Sequence, residues 1–289
     1  MHVRKRLAIV LLLGAVGCSS RLDTSLERLT ESRRLAADIL LQLTKAADAA
    51  NRAVMAETDD ASKAFAGEAQ QATTTIQKDV DALRPILQAL GYSTESRLLD
   101  EFERRFAEYL RLDQSILDLA VENTNLKAQR LSFGPASQAA DAFRDALHGL
   151  APSLSSENTW RIQALTAIAI EHVREIQVLQ APHIAEASDA AMTEMEKRMA
   201  ASATAARSAL QSLAPFVAAS AKARLASATA SLDRFMMLNA ELVALSRRNT
   251  NVRSLALSLG QKRMLTAACE ESLQALQEAL ARQGFTGTR

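Results

Sequence analysis

The chain has 289 residues, with 34 basic and 33 acidic side chains, and only 4% of its residues are aromatic. This balance of charge and the shortage of aromatic rings exclude the dense basic patches and base-stacking platforms of nucleic-acid-binding proteins. Only Cys18 and Cys269 are present, which excludes a framework of several disulfides.

The first predicted element is a signal segment that ends at a cysteine. Arg4, Lys5 and Arg6 precede the apolar run 7–16, which is too short to cross a bilayer that needs roughly 20 residues. Small residues lead directly to Cys18, an arrangement that resembles the lipobox of bacterial lipoproteins. The resemblance implies that residues 1–17 are removed and that Cys18 carries the lipid. A plain signal peptide with a chance cysteine and an uncleaved anchor are the alternatives.

The residue after the cysteine bears on the destination of the protein. Ser19, rather than an aspartate, follows Cys18. In bacterial lipoproteins this choice favours sorting to the outer membrane. We therefore expect a protein of the cell envelope, held on the outer membrane by its N-terminal lipid and facing the periplasm.

Beyond residue 20 the sequence predicts long helices. It is rich in Ala, Leu, Arg, Glu and Gln, and its apolar residues recur at spacings of three and four. No stretch alternates with the period of two that is typical of strands. The expected helices run from about Asp23 to Glu57, from Thr58 to Gly91, from Ser93 over about 38 residues to Gly134-Pro135, and on to about Leu150. Fusion of the first two is the alternative.

A repeat dominates the middle of the chain. The segment 123–134 reappears as 249–260, at an offset of 126 residues, with six of twelve positions identical. Such self-similarity predicts a duplicated module. The fold class is therefore all-α, with long antiparallel helices that form two duplicated helical bundles. The expected domains are the signal peptide 1–17, a first module 18–151 and a second module 152–289.

Two asparagines interrupt the apolar stripe of the repeat at matching positions. Asn123 and Asn249 fall on the face that carries Leu and Phe residues, and a cation, Lys127 or Arg253, follows each at i+4. A buried amide must find hydrogen-bond partners. Either each asparagine fixes helix register, or the amides and cations bind a ligand. The candidate ligand-binding residues are Asn123, Lys127, Arg130, Asn249 and Arg253.

Motifs that carry catalysis or bind cofactors are absent from the sequence. No zinc-protease, haem-attachment, nucleophile-elbow or phosphate-loop pattern occurs, and no Glu-x-x-His pair suggests a di-iron bundle. Cys269 lies in a helical pattern after two alanines and is interpreted as a small core residue. We expect no enzyme, no metal and no cofactor.

The stretch 106–150, above all Leu117-Asp118-Leu119-Ala120-Val121-Glu122-Asn123-Thr124-Asn125-Leu126-Lys127-Ala128, resembles the periplasmic four-helix-bundle sensor regions of methyl-accepting chemotaxis proteins. Segment 245–276 resembles the second half of such a region. The doubled layout is also similar to the double all-helical ligand-binding domains of sensor kinases. The resemblance implies an extracytoplasmic sensor, here without a cytoplasmic signalling domain.

Two functions follow as hypotheses. The first is a lipid-anchored sensory or ligand-binding protein that takes a small molecule and passes its state to an envelope or receptor protein. The alternative is a structural envelope lipoprotein, a helical spacer or adaptor for a protein complex. Nucleic acid is expected as a partner in neither.

Overall fold

The computed structural model describes the backbone of residues 8–150 and 158–284, with side chains from Thr24 onward. Residues 1–7 of the predicted signal peptide and the side chain of Cys18 lie outside this description. Throughout the described backbone every regular element is helical, which confirms the all-α prediction. The α-helices are α1 (Ala8–Met55), α2 (Asp59–Leu90), α3 (Ser93–Glu122), α4 (Thr124–Leu131), α5 (Ser137–His148), α6 (Thr159–Ala185), α7 (Asp189–Leu213), α8 (Lys222–Arg248), α9 (Thr250–Leu257) and α10 (Arg263–Arg282). Over the same residues, none of these helices combines the length and apolarity needed to cross a membrane.

The first two helices are separate, and the second has the predicted caps at both ends. The Thr58 hydroxyl accepts a hydrogen bond from the backbone N–H of Ala61 at 3.2 Å and so caps α2. At its other end Gly91 takes the left-handed conformation, with φ of 70°, that commonly closes a helix. The predicted start of the first helix near Asp23 was wrong, because α1 begins at Ala8 and no proline interrupts the chain between these residues.

The predicted third helix was wrong in both length and end point. α3 stops at Glu122, because Asn123 has a φ of +50° and turns the chain out of the right-handed helix. Gly134 and Pro135 do not end a helix. They lie in a π-helical turn, Ser132–Ala136, that joins α4 to α5. The wider turn relieves the clash that proline makes with the carbonyl four residues earlier in an α-helix.

Both interruptions recur at the predicted offset. Asn249 has a φ of +53°, and a second π-helical turn, Ser258–Lys262, joins α9 to α10. Each feature lies 126 residues after its counterpart. The local backbone therefore repeats with the sequence, while the superposition of two complete bundles stays a prediction.

The compact units of the structure do not coincide with the predicted modules 18–151 and 152–289. Unit 1 comprises the residues up to Val121 and those from Ala256 onward, and unit 2 comprises Glu122–Leu255. Unit 1 thus contains α1, α2, α3 and α10, whereas unit 2 contains α4, α5, α6, α7 and α8. The difference arises because α4 and α5, which belong to the first copy in sequence, pack with helices of the second.

Each unit has an apolar core of its own. In unit 1 the rings of Phe102, Phe106 and Tyr109 stack along α3 with centroids 5.3 and 5.8 Å apart. Phe143 and Phe235 are completely buried in the core of unit 2. Arg33, which interrupts the apolar seam of α1, donates hydrogen bonds to the carbonyl of Leu280 at 2.9 and 3.1 Å. This contact occupies a carbonyl at the end of α10 that has no partner within the helix.

Candidate functional site

The repeated asparagines form a paired structure in unit 2, which we call the asparagine clasp. It consists of two tripeptides, 123–125 and 249–251, each with the sequence Asn-Thr-Asn. All but Asn251 are buried. Each tripeptide begins with an asparagine in the left-handed conformation, which asparagine tolerates better than most residues. The remaining two residues begin α4 or α9.

The two tripeptides cap each other's helices. The backbone N–H of Thr124 donates to Oγ1 of Thr250 at 3.1 Å, and the reverse bond is 3.2 Å. The backbone N–H of Asn125 donates to Oδ1 of Asn251 at 3.2 Å, with a reverse bond of 3.1 Å. The first N–H groups of a helix have no partner within it. Here each helix obtains its partners from the other copy of the repeat.

The side-chain amides complete the clasp, with one exception. Nδ2 of Asn125 donates to Oδ1 of Asn249, and Nδ2 of Asn251 donates to Oδ1 of Asn123, both at 2.9 Å. Nδ2 of Asn249 also donates to the carbonyl of Glu186 at 2.7 Å. Among the described residues, Nδ2 of Asn123 has no such partner. Most of the hydrogen bonds made by these amides therefore join the two tripeptides.

The predicted cations do not join these amides. Nζ of Lys127 donates to the carbonyl of Glu122 at 2.7 Å, and Arg130 and Arg253 are exposed. The stripe itself also ends at the clasp, since Phe133 and Leu259 are 70% and 68% exposed instead of buried. The backbone turns at Asn123 and Asn249 change which residues face inward. Ligand binding by the five predicted residues stays a prediction.

A second polar group, missed by the sequence analysis, lies in the core of unit 1. We call Tyr109, Asp113 and Lys262 the charged trio. Their exposed fractions are 0%, 3% and 2%. Nζ of Lys262 lies 2.5 Å from Oδ1 of Asp113 and 5.5 Å from the centroid of the Tyr109 ring. The spacing of Tyr109 and Asp113 at i+4 was visible in the sequence, but Lys262 faces inward at the end of a π-helical turn.

Burial shifts the pKa values of all three groups of the charged trio. Burial raises the pKa of the Asp113 carboxyl, and the Lys262 ammonium partly opposes this shift. Burial likewise lowers the pKa of Lys262, against the attraction of Asp113. The pKa of Tyr109 is raised, mainly by burial. An ion pair taken out of water in this way is costly unless further hydrogen bonds satisfy both groups.

Those further hydrogen bonds are incomplete. The Tyr109 hydroxyl has no hydrogen-bond partner among the described residues. An ammonium group has three N–H donors, yet the described residues offer Lys262 only Asp113 as an acceptor. The charged trio therefore has unused donors in the interior of unit 1.

Lys262 also lines a cavity of about 280 Å³ in unit 1. On its wall, Oγ of Ser258 donates to Oδ1 of Asn51 at 2.7 Å. The lining residues include two cations and one carboxylate, and the complete lining is Ala47, Asn51, Ser258, Leu259, Lys262, Arg263, Thr266, Ala267 and Glu270.

The positions of unit 2 that correspond to the charged trio in the repeat carry no charge. At the offset of 126 residues the charged trio corresponds to Phe235, Asn239 and Ala136. Oδ1 of Asn239 accepts from Nε2 of Gln180 at 2.9 Å, and Oε1 of Gln180 accepts from Oγ of Ser132 at 2.7 Å. The counterpart of an ion pair is thus a neutral chain of hydrogen bonds.

Unit 2 has a different polar network, centred on a buried histidine. Nε2 of the buried His183 lies 2.9 Å from Oε1 of Glu196, which also accepts from Nε of Arg247 at 2.6 Å. These bonds, first that from Arg247, lower the pKa of Glu196. Thr58 and Ser188 are the N-caps of α2 and α7, and they lie 130 residues apart in the sequence. This offset aligns α2 with α7. The unit 1 counterparts of His183 and Glu196 at this offset are both core alanines, Ala53 and Ala66.

Known proteins do not indicate a family for this chain. The candidate sites are therefore those described above, namely the asparagine clasp, the charged trio and the cavity beside Lys262. No protein-family model, no curated protein and no solved structure matches the chain.

Proposed function

We propose that the chain is a lipid-anchored extracytoplasmic protein that binds a small ligand, as sensory helical bundles do. The observation that carries this proposal is the charged trio. Burying an ion pair is unfavourable, and unit 2 fills the corresponding positions with neutral residues. Perturbed ionisable groups beside a cavity are typical of binding sites. The resemblance to chemoreceptor sensor regions supports the same function.

The anchor is proposed on the signal segment and Cys18 alone. A single acyl chain holds a protein to a bilayer only marginally, so stable attachment requires more than one chain on the N-terminal cysteine. Anchored on the outer membrane, the protein would face the periplasm and pass its state to an envelope or receptor protein.

A thermal-shift screen of the full-length protein in detergent tests ligand binding. The compounds are amino acids, organic acids and aromatics, and a ligand that binds only the folded state raises its melting temperature. At a concentration ten times its dissociation constant, a ligand should raise the midpoint by about 2–5 °C. If no compound at millimolar concentration moves the midpoint, the sensory proposal fails.

The anchor has a separate test. In cells fed a labelled fatty acid, the wild-type protein should take up label and sediment with membranes. The Cys18→Ser variant should take up none and remain soluble or unprocessed. Equal labelling and membrane retention in the two proteins would contradict the anchor without bearing on ligand binding.

One observation favours the alternative, a helical spacer or adaptor in an envelope complex. The asparagine clasp uses the predicted ligand-binding amides to join α4 to α9, as a structural element would. A spacer would withstand loss of the charged trio and co-purify with a stoichiometric envelope partner after crosslinking. The clasp and the charged trio occupy different units, so the two functions can be tested on different residues.

A further inference from the structure

We propose that two copies of the chain associate through the exposed face of α6, with the two helices antiparallel about a two-fold axis. The partner is therefore a second copy of this chain. The inference is independent of the proposed ligand, because no residue of the charged trio belongs to α6.

The exposed face of α6 carries a stripe of eight residues with heptad spacing, which we call the α6 stripe. Its members are alternately four and three residues apart, so on a helix with about 3.6 residues per turn they lie within an arc of about 100°. All eight are exposed, and six are apolar. They are Trp160, Ala164, Ala167, Glu171, Arg174, Val178, Ala181 and Ala185. Trp160 and Val178 are 65% and 67% exposed, so no described part of the chain covers this apolar surface.

The corresponding face of α1 shows that a helix in this position does not need an apolar stripe. The offset of 130 residues that aligns α2 with α7 also pairs all seven buried residues of α6 with buried residues of α1. The counterpart of the α6 stripe is exposed as well, but five of its eight residues are polar. The eight are Thr30, Arg34, Ala37, Leu41, Thr44, Asp48, Asn51 and Met55. The apolar stripe is thus a property of α6 and not of the repeat.

The two charges of the α6 stripe match a second copy of the helix. Glu171 and Arg174 are its middle members, with three apolar members on each side. Two such stripes in antiparallel register therefore place Glu171 of each chain opposite Arg174 of the other, which gives two ion pairs about the two-fold axis. Within the described chain neither side chain has an ion-pair partner, so both are available to a second copy. An apolar surface of another kind would bury the two charges unpaired, which is costly.

The apolar members of the stripe fit the same register. Trp160 then faces Ala185 of the other chain, and Ala167 faces Val178. Four of the six apolar members are alanines, and small side chains let two helix axes approach to about 8 Å. The 27 residues of α6 give a contact about 40 Å long. One helix pair buries less surface than the roughly 1,600 Å² of a standard interface, so we expect reversible association with a dissociation constant on the order of 1 μM.

Charge reversal tests the pairing by sedimentation velocity of the full-length protein in detergent. At about 100 μM, far above a micromolar dissociation constant, the wild type should be dimeric. Glu171→Arg sets arginine against arginine, and Arg174→Glu sets glutamate against glutamate. Each variant alone should therefore associate at least about tenfold more weakly than the wild type. An equal mixture of the two variants sets every arginine against a glutamate and should restore the dimer.

Trp160 provides a second measurement, because it is the only tryptophan of the chain. Association covers its ring with the end of the other α6 helix. Its emission maximum should therefore shift to shorter wavelength as the concentration of the wild type rises. The mixture of the two charge variants should show the same shift, and neither variant alone should show it.

A pair of cysteines tests the register. In Ala167→Cys/Val178→Cys each new thiol faces a thiol of the other chain, so mild oxidation should link two chains. The matched control Ala37→Cys/Asp48→Cys, at the corresponding exposed positions of α1, should remain unlinked. The proposal is overturned if the wild type is monomeric in the sedimentation experiment, if the mixed charge variants fail to associate, or if the α1 pair links as readily as the α6 pair. None of these results bears on ligand binding, which the thermal-shift screen tests separately.

Discussion

Each unit contains one π-helical turn, but the two units differ in their buried ionisable groups. Unit 1 has an ion pair, Asp113 with Lys262, where unit 2 has the neutral Asn239 and an alanine. Conversely, unit 2 has a partner for its buried His183 where unit 1 has only alanines. A π-helical turn occurs in both sets of surroundings. A buried ion pair is therefore not needed to form such a turn, and its presence in one unit calls for a reason specific to that unit.

The largest effect is predicted for a variant that removes only the cation of the charged trio. Lys262→Met leaves the Asp113 carboxylate buried without a partner, which should lower the free energy of unfolding by about 3–5 kcal/mol. Urea denaturation at pH 7.5, followed by circular dichroism, measures the loss. Asp113→Asn/Lys262→Met, which imitates the neutrality of unit 2, should recover most of it. If the double variant is as unstable as Lys262→Met, neutral side chains cannot replace the ion pair of unit 1, although neutral residues occupy the corresponding positions of unit 2.

The loss in Lys262→Met should also depend on pH. Burial already raises the pKa of Asp113 in the folded protein, and without Lys262 nothing opposes that shift. A carboxyl whose pKa is higher in the folded than in the unfolded state, where it is about 3.9, destabilises the fold as pH rises through the folded value. The deficit relative to the double variant should therefore shrink on acidification from pH 7.5 towards pH 5. A deficit that grows in this range would contradict burial of the carboxylate.

The next largest effect concerns the asparagine clasp in unit 2. Asn125→Ala removes the Oδ1 atom that accepts from the backbone N–H of Asn251. It also removes the Nδ2 atom that donates to Oδ1 of Asn249 and to the carbonyl of Ile184. Leaving such buried groups unpaired should cost about 2–3 kcal/mol. Asn251→Ala removes one fewer bond and should cost less. A double-mutant cycle on urea denaturation should give a coupling of about 0.5–3 kcal/mol, and simple additivity would show that the two tripeptides act independently.

A smaller effect is expected in the histidine network of unit 2. Glu196→Gln weakens the bonds to His183 and Arg247, and because Glu196 is partly exposed the loss should be about 1 kcal/mol. The folded-state pKa of Glu196 is lowered, so its contribution is present above the unfolded value of about 4.3 and is lost as pH falls. The gap between wild type and variant should stay constant from pH 7 to pH 5 and close below about pH 4. A gap that widens on acidification would refute the network.

The smallest effect tests whether proline is needed for a π-helical turn. Pro135 lies inside the turn of unit 2, whereas the turn of unit 1 has Gln261 at the corresponding position and forms nevertheless. Pro135→Ala should therefore keep the turn and change stability by less than about 1 kcal/mol. Hydrogen exchange of the amides in α5 provides the measurement. Loss of protection throughout α5 would mean that proline, and not the repeat, fixes the turn.

The sequence predicts the parts of this fold that depend on composition and local chemistry. Helical periodicity, the Thr58 cap and the Gly91 end are all present. The turn at Asn123 was not predicted, because an asparagine on an apolar stripe looks like a residue inside a helix, and only the clasp reveals the left-handed turn. The buried position of Lys262 was not predicted either, because a π-helical turn changes the register of the residues within it and after it. The apolar stripe could be extrapolated only as far as the helix stayed regular.

The arrangement of the two units in the chain sets the order in which they can fold. Unit 2 is one continuous segment, Glu122–Leu255, that interrupts unit 1 between Val121 and Ala256. During synthesis from the N-terminus, all residues of unit 2 are available before α10 exists. The core of unit 1 includes Leu273 and Leu276 of α10, so this core cannot be completed before α10, its fourth helix, has been synthesised. Until α10 is made, the residues of α1, α2 and α3 in this core lack the apolar side chains of α10, so the stability of the first three helices depends on a helix that is synthesised much later.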